Sequence, residues 1–202
     1  MSTSALPLSL LVLLSACTDV KDPDETNPEE VITTVTLTFT PDLDGGAAQT
    51  FSWADPENDG SPVIDAITLS GADSYALSVA FLNELEDPAE DITEEVDAES
   101  DQHQVFLTGS AVDGPATPEN AGAVLSHTYG DTDANGFPVG LTNTIDILQA
   151  GSGVLTVTLR HLPPQDDAAV KTGTLAEDVA ADGIDGLPGA TDVSVDFDVT
   201  VQ

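Results

Sequence analysis

The chain has three histidines among its 202 residues, and two of them stand where an imidazole can work. In GVLTVTLRHLP, residues 153–163, strict alternation places Leu155, Val157, Leu159 and His161 on one face and Thr156, Thr158 and Arg160 on the other. His161 is therefore expected to face the interior or the mouth of a pocket. His103, in DAESDQHQVF, follows a run in which ten of the eighteen residues from 84 to 101 are carboxylic acids. If a helix runs through that stretch, Ala89, Ile92, Val96 and His103 fall near one stripe, which puts His103 at the end of the buried side. Two inward imidazoles joined by a carboxylate such as Glu84, at the end of a strand over 75–84, suit zinc or copper. Two imidazoles without the carboxylate suit a haem iron. The competing role for each is to cap a strand or helix end by hydrogen bonding to backbone, and His127 in LSHTYG has only that role.

Two acidic loops offer a second, harder kind of site. WADPENDGSPV (53–63) lines up with YGDTDANGFPV (129–139), so that Asp55, Glu57, Asp59 and Gly60, and Asp131, Asp133, Asn135 and Gly136, occupy positions 1, 3, 5 and 6 of a calcium loop. Oxygen ligands two residues apart, followed by a turning Gly, can wrap calcium. The twelfth position, normally a bidentate Glu, is Ala66 in one loop and Thr142 in the other, which leaves weak calcium binding at most. The same residues also suit a tight turn, with Asp-Gly or Asn-Gly supplying positive φ and Pro stiffening the exit.

Catalytic arrangements are not supported. The chain has no GxSxG elbow, no HExxH and no Gly-rich phosphate loop, and its one cysteine lies near the N-terminus. Beyond residue 30 only Arg160 and Lys171 are basic, too few to steady an anionic substrate. The expectation is a protein that is not an enzyme.

The N-terminus gives an address. MSTSALPLSLLVLLSACTD has an apolar core from Leu6 to Leu14, well short of the roughly 20 residues of a spanning helix, and then Leu14-Ser15-Ala16-Cys17, a lipobox. Residues 1–16 are expected to be a lipoprotein signal peptide, although residues 1–10 lack the usual Lys or Arg. Cys17 is the expected lipidation site, and as the only cysteine it can form no internal disulfide. Diacylation holds a protein to a membrane stably. Thr18, not Asp, follows the cysteine, so the outer membrane is the expected location within the cell envelope. Residues 17–30 are acidic, contain two prolines and read as a tether. Thirty-seven acidic residues against three basic ones give a net charge of −34. That excludes nucleic acid and anionic membrane surfaces as partners and favours cations, while also serving solubility in a saline habitat.

The elements that must position these residues are mainly strands. Period-two patterns cover 35–40, 49–54, 63–70, 75–84, 103–109, 124–130, 143–149, 153–162 and 191–202. Asp87-Pro88-Ala89-Glu90 carries helix-start signals and predicts one helix near 88–100. At an offset of 78, Ile67 and Leu69 fall on Ile145 and Ile147, and Leu77, Val79 and Phe81 on Leu155, Val157 and Leu159. The expectation is one all-β domain over 31–202, sandwich-like with a barrel as the other form. Its about nine strands would make two similar four-stranded meanders, 31–85 and 103–163, joined by the helical connection 86–102. An acidic loop and a final strand occupy 164–202.

Several stretches resemble a family of small bacterial lipoproteins commonly labelled type 1 periplasmic binding fold superfamily protein. They are LNE (82–84), EDITEE (90–95), HQVF (103–106), DANG (133–136), GSGVLTVTLRH (151–161) and TDVSVDFDV (191–199). The fold in that label is a two-lobed α/β chain of roughly 300 residues with alternating βαβ units, whereas the strand pattern here remains all-β. The resemblance implies a partner among TonB-dependent outer-membrane receptors and capture of a nutrient or metal cofactor. His103 and His161 both lie inside the matching stretches.

Overall fold

The computed structural model describes residues 29–43, 45–166 and 168–202; the signal peptide, Cys17 and nearly all of the tether lie outside them. Twelve strands form among the described residues. The first six are β1 (Thr34–Pro41), β2 (Gln49–Ala54), β3 (Val63–Ile64), β4 (Ile67–Leu69), β5 (Ser74–Asn83) and β6 (Glu90–Asp91). After helix α1 (Ile92–Ala98) come β7 (His103–Thr108), β8 (Val112–Asp113), β9 (Leu125–Tyr129), β10 (Thr142–Ile147) and β11 (Gly151–His161). Helix α2 (Leu175–Asp182) and a 3₁₀ turn at Ile184–Gly186 precede β12 (Ala190–Val201).

Alternation does what the sequence requires of it. Val35, Leu37 and Phe39 of β1, Tyr75, Leu77, Val79 and Phe81 of β5, and Val195, Phe197, Val199 and Val201 of β12 are buried on one face of each strand. The intervening Ser194, Asp196, Asp198 and Thr200 stay exposed. A β-strand can bury this pattern only against a second apolar face. Two sheets supply it: an eight-stranded sheet in the order β3-β2-β1-β5-β10-β9-β8, with β6 paired to the end of β5, and a four-stranded sheet in the order β4-β12-β11-β7. Their inner faces share one core, and each fully buried Val, Leu or Phe contributes roughly 1.5–3 kcal/mol. The fold is an all-β, sandwich-like arrangement.

The strands are more numerous than the nine expected, and neither half is a meander. β4 leaves β2 and β3 for the other sheet, where it runs parallel to β12. In the second half β9 and β10 join β5 in the large sheet, while β7 and β11 lie in the small one. The offset that aligns β4 and β5 with β10 and β11 thus pairs strands from opposite sheets. β10 lies beside β5, but β12 separates β4 from β11. The sequence match reports alternation, which fixes the inward face of a strand but not its neighbour.

Both helical findings also differ from expectation. Glu90 and Asp91 pair with Asn83 and Leu82, so the backbone there is committed to the sheet and the helix starts later. Asp91 caps α1 by accepting from the Thr93 amide. α2 lies in the segment expected to be an acidic loop. Its Leu175, Ala176 and Val179 pack with Phe106, Ala116, Leu162 and Leu187 in a second small core outside the four-stranded sheet. That layer explains why β7 is buried on both faces from His103 to Leu107.

Candidate metal centre

His103 opens β7 and His161 closes β11, and the two are direct partners in the antiparallel ladder. Opposed residues on neighbouring strands share a face, so both imidazoles point to the inner side of the four-stranded sheet, at one end of the sandwich. The rings stack with centroids 4.6 Å apart and planes inclined by 12°. Both residues are essentially sealed from solvent, at 0% and 1% exposure.

The carboxylate that meets them is Asp192. Its Oδ2 lies 3.8 Å from His103 Nε2 and its Oδ1 lies 3.9 Å from His161 Nδ1. Simple alternation along β12 would send Asp192 outward, since Val193 and Val195 face in. The ladder between β11 and β12 is irregular at this point: Leu159 pairs with Val193 and Arg160 with Thr191, which leaves Asp192 as the extra residue of a bulge. A bulge re-aims a side chain, and here it turns a carboxylate into the interior. A strict period-two reading of the sequence could not have found it.

Two neighbours hold the bulge. Arg160, expected on the outer face, is buried, and its guanidinium donates to the carbonyls of Leu187, Pro188 and Gly189 and to Thr191 Oγ1. Gly189 has φ +79°, and a Cβ there would collide with the His161 carbonyl oxygen. Only glycine satisfies both the backbone angle and the close approach.

The protonation states suit a cation. Burial lowers His103 to about 4, with the stacked His161 adding to the effect and a hydrogen bond to the Glu99 carbonyl opposing it. Burial also lowers His161. Both imidazoles are neutral at neutral pH. His103 Nδ1 lies 3.2 Å from that Glu99 carbonyl, which makes Nδ1 the protonated nitrogen and leaves the Nε2 lone pair directed at Asp192. Asp192 is raised to about 6 by burial, against a hydrogen bond from the Glu30 amide. It remains mostly ionised at neutral pH.

Among the described residues this is the one group of three His, Cys, Asp or Glu side chains placed to share an ion, with ligand atoms within 4.8 Å of one another. His103 Nε2 and Asp192 Oδ2 are buried without a hydrogen-bond partner, an arrangement that costs about 1–3 kcal/mol per group unless something binds there. Zinc bonds of about 2.0–2.2 Å would require these atoms to close in on a shared point and the two imidazole planes to turn out of their stack, because each lone pair lies in its ring plane. A haem does not fit between them. Two axial imidazoles must lie on opposite sides of a porphyrin, whereas these rings lie face to face in contact.

The remaining sequence-predicted residues lie elsewhere. Glu84 is exposed, and its amide donates to Thr33 Oγ1; Asp192 takes the place expected for it. His127 is buried beside Asn143 Oδ1 at 2.9 Å, with its ring edge-on to Tyr129. In the first acidic loop Asp55 accepts from the amides of Asp59 and Gly60, Asp59 accepts from the Ser61 amide, and Glu57 is exposed. In the second, Asp131 accepts from Gly140 and Thr142, and Asp133 from Asn135 and Phe137, while the Asn135 residue is exposed. These carboxylates bind their own backbone, as turn-forming Asp does. Asp133 also forms a buried ion pair with Lys171, at 3.1 Å, and Lys171 donates to the Ser100 carbonyl.

No protein-family model matches the chain, and no curated protein or solved structure matches it significantly.

Proposed function

We propose that this chain is a lipid-anchored protein of the bacterial cell envelope that binds a divalent transition metal, zinc first, through His103, His161 and Asp192. The observation that carries the reading is the buried trio itself: two neutral imidazoles and a carboxylate with ligand atoms within 4.8 Å of one another, of which His103 Nε2 and Asp192 Oδ2 lack a hydrogen-bond partner. Imidazole nitrogen with carboxylate oxygen is a donor set for zinc, copper(II) or nickel rather than calcium. Its burial suits retention of the ion. The role is binding rather than catalysis, in keeping with the shortage of other chemical groups in the chain.

The lipobox at Leu14–Cys17 supports the anchor and the outer-membrane location, and no described helix is long and apolar enough to cross a membrane. The resemblance to envelope lipoproteins supports a TonB-dependent receptor as the partner that gives or takes the metal. Net charge of −34 supports attraction of cations to the surface.

A second reading is a non-catalytic interaction lipoprotein with an acidic surface. The loop carboxylates that cap their own backbone favour it. Zinc titration against a chromogenic competitor separates the two. The metal reading expects one zinc per chain, with affinity lost in His103→Ala, His161→Ala and Asp192→Ala and retained in Glu84→Gln. Equal affinity in all five proteins, or none in the unsubstituted chain, leaves the second reading.

A further inference from the structure

Beyond residue 30 only Arg160 and Lys171 are basic, and both are buried. In a chain of net charge −34 neither is left at the surface to balance the acids. Arg160 grips the carbonyls of Leu187, Pro188 and Gly189, just before the bulge that aims Asp192. Lys171 grips backbone beside His103: its Nζ donates to the Ser100 carbonyl at 2.6 Å and lies 3.1 Å from Asp133 Oδ2. Ser100 belongs to the turn that ends α1 and leads into β7. In that turn the Glu99 carbonyl accepts from the Gln102 amide and meets His103 Nδ1 at 3.2 Å, and the Gln102 carbonyl accepts from the amide of Leu162, next to His161. The last turn of α1 has no basic residue of its own, so Lys171 supplies the cation that the carbonyl end of a helix favours. Stability alone does not account for the arrangement, because well-packed apolar side chains of similar size commonly match or exceed a buried ion pair.

We propose that Lys171 is a positioning residue of the metal centre: by holding Ser100 it fixes the turn whose Glu99 carbonyl keeps His103 protonated at Nδ1 and its Nε2 directed at Asp192. This rests on the metal-binding reading above. The partner of the second ring nitrogen sets the tautomer and orientation of a ligating histidine, and here that partner is a backbone carbonyl. A carbonyl can aim an imidazole only as firmly as its own turn is held. Lys171 acts through that backbone, as Arg160 acts on Asp192 through the bulge. Each of the two cations of the domain thus fixes the main chain behind one ligand.

The test uses the full chain in detergent and three readouts: zinc affinity by competition, urea denaturation in chelator, and the imidazole nitrogen shifts of His103 by NMR in the metal-free protein. The proteins are the unsubstituted chain, Lys171→Met, the double variant Lys171→Met with Asp133→Asn, and His161→Ala. Asn at position 133 keeps an acceptor for the Asn135 and Phe137 amides and removes the charge that Lys171→Met leaves unpaired. The expected result is a loss of about 10-fold in zinc affinity in both Lys171 variants, the lower end of what outer groups around a metal ligand contribute. The double variant should be more stable than the single one, yet His103 should change from a single Nδ1–H form to mixed tautomers in both. Affinity that recovers along with stability in the double variant would make Lys171 merely structural and overturn the proposal. Unchanged affinity, or an unchanged tautomer, in both Lys171 variants overturns it too, and loss of zinc in His161→Ala shows that the centre itself then still stands. If the unsubstituted protein binds no zinc, the metal-binding reading falls and the positioning role with it.

Discussion

Asp192 is the carboxylate of the proposed centre, and its burial has a sign that can be measured. Its carboxyl has an ordinary value of 3.8 and is raised to about 6. Between those values the folded chain takes up the proton before the unfolded chain does. On this account stability is greatest below about pH 4 and falls as pH rises through 6. Glu30, raised to about 7 chiefly by burial, acts with the same sign up to that pH. His103 acts oppositely: lowered from 6.5 to about 4, it contributes stability above 6.5 that is lost as pH falls toward 4. The groups facing Asp192 are His103, His161, Glu29, Glu30 and Arg160. Without metal, Asp192→Asn is therefore expected to be more stable than the unsubstituted protein at pH 7.5, by about 1–3 kcal/mol, with the gap closing near pH 4. Chemical denaturation in chelator at the two pH values checks this, and a less stable Asp192→Asn at pH 7.5 would contradict it. At this scale the sequence was half legible. Alternation placed His161 on the inner face; His103 is buried as expected, but it opens β7 and does not continue the stripe of a helix, which ends at Ala98, and Asp192 takes its direction from a bulge that no spacing rule contains.

At the scale of elements, the centre is built where β7, β11 and β12 end together. Gly189 and Arg160 shape the bulge, so Gly189→Ala is expected to lower zinc affinity without replacing a ligand. The clash with the His161 carbonyl must move either the loop or the strand. A zinc affinity equal to that of the unsubstituted protein would show that the bulge forms without this contact. The end of α1 supplies the Glu99 carbonyl that orients His103, and Lys171, in the segment before α2, donates to the neighbouring Ser100 carbonyl. Lys171 is lowered by burial, with Asp133 opposing. Burial also works to raise Asp133, but the Phe137 amide, Lys171 and the Asn135 amide outweigh it and hold the carboxyl below its ordinary range. The pair is charged. Breaking it by Lys171→Met is expected to cost about 3–5 kcal/mol, while the double variant Lys171→Met with Asp133→Leu should recover part of that loss. Additive losses in urea denaturation would show that the two residues do not act as a pair. The acidic spacing around Asp133 read as a calcium loop because a sequence shows which oxygens are near one another but not which amides they face.

The whole molecule is an acidic β-sandwich with its histidines withdrawn from the surface. Its net charge of −34 raises the local concentration of cations around the domain. Stopped-flow zinc binding should therefore slow as salt rises from about 10 mM to 0.15 M, over which the screening length shrinks from about 30 Å to 8 Å. A rate independent of salt would show that the acidity serves hydration rather than capture. Sandwich class was legible because inward and outward residues alternate on nearly every long strand. Strand order was not, since β4 and β11 carry the same pattern as their sequence neighbours while pairing in the other sheet. Metal should also stabilise the fold as a whole, by about 4 kcal/mol when free zinc exceeds the dissociation constant a thousandfold. The central claim is a zinc shell made by two imidazoles and carboxylate oxygen, and X-ray absorption at the zinc edge of the loaded full chain tests it most directly. The expected spectrum shows one zinc per chain, four nitrogen or oxygen neighbours near 2.0–2.1 Å and outer-shell scattering from two imidazoles. A spectrum without imidazole scattering, or a chain that retains no zinc after desalting, would contradict it.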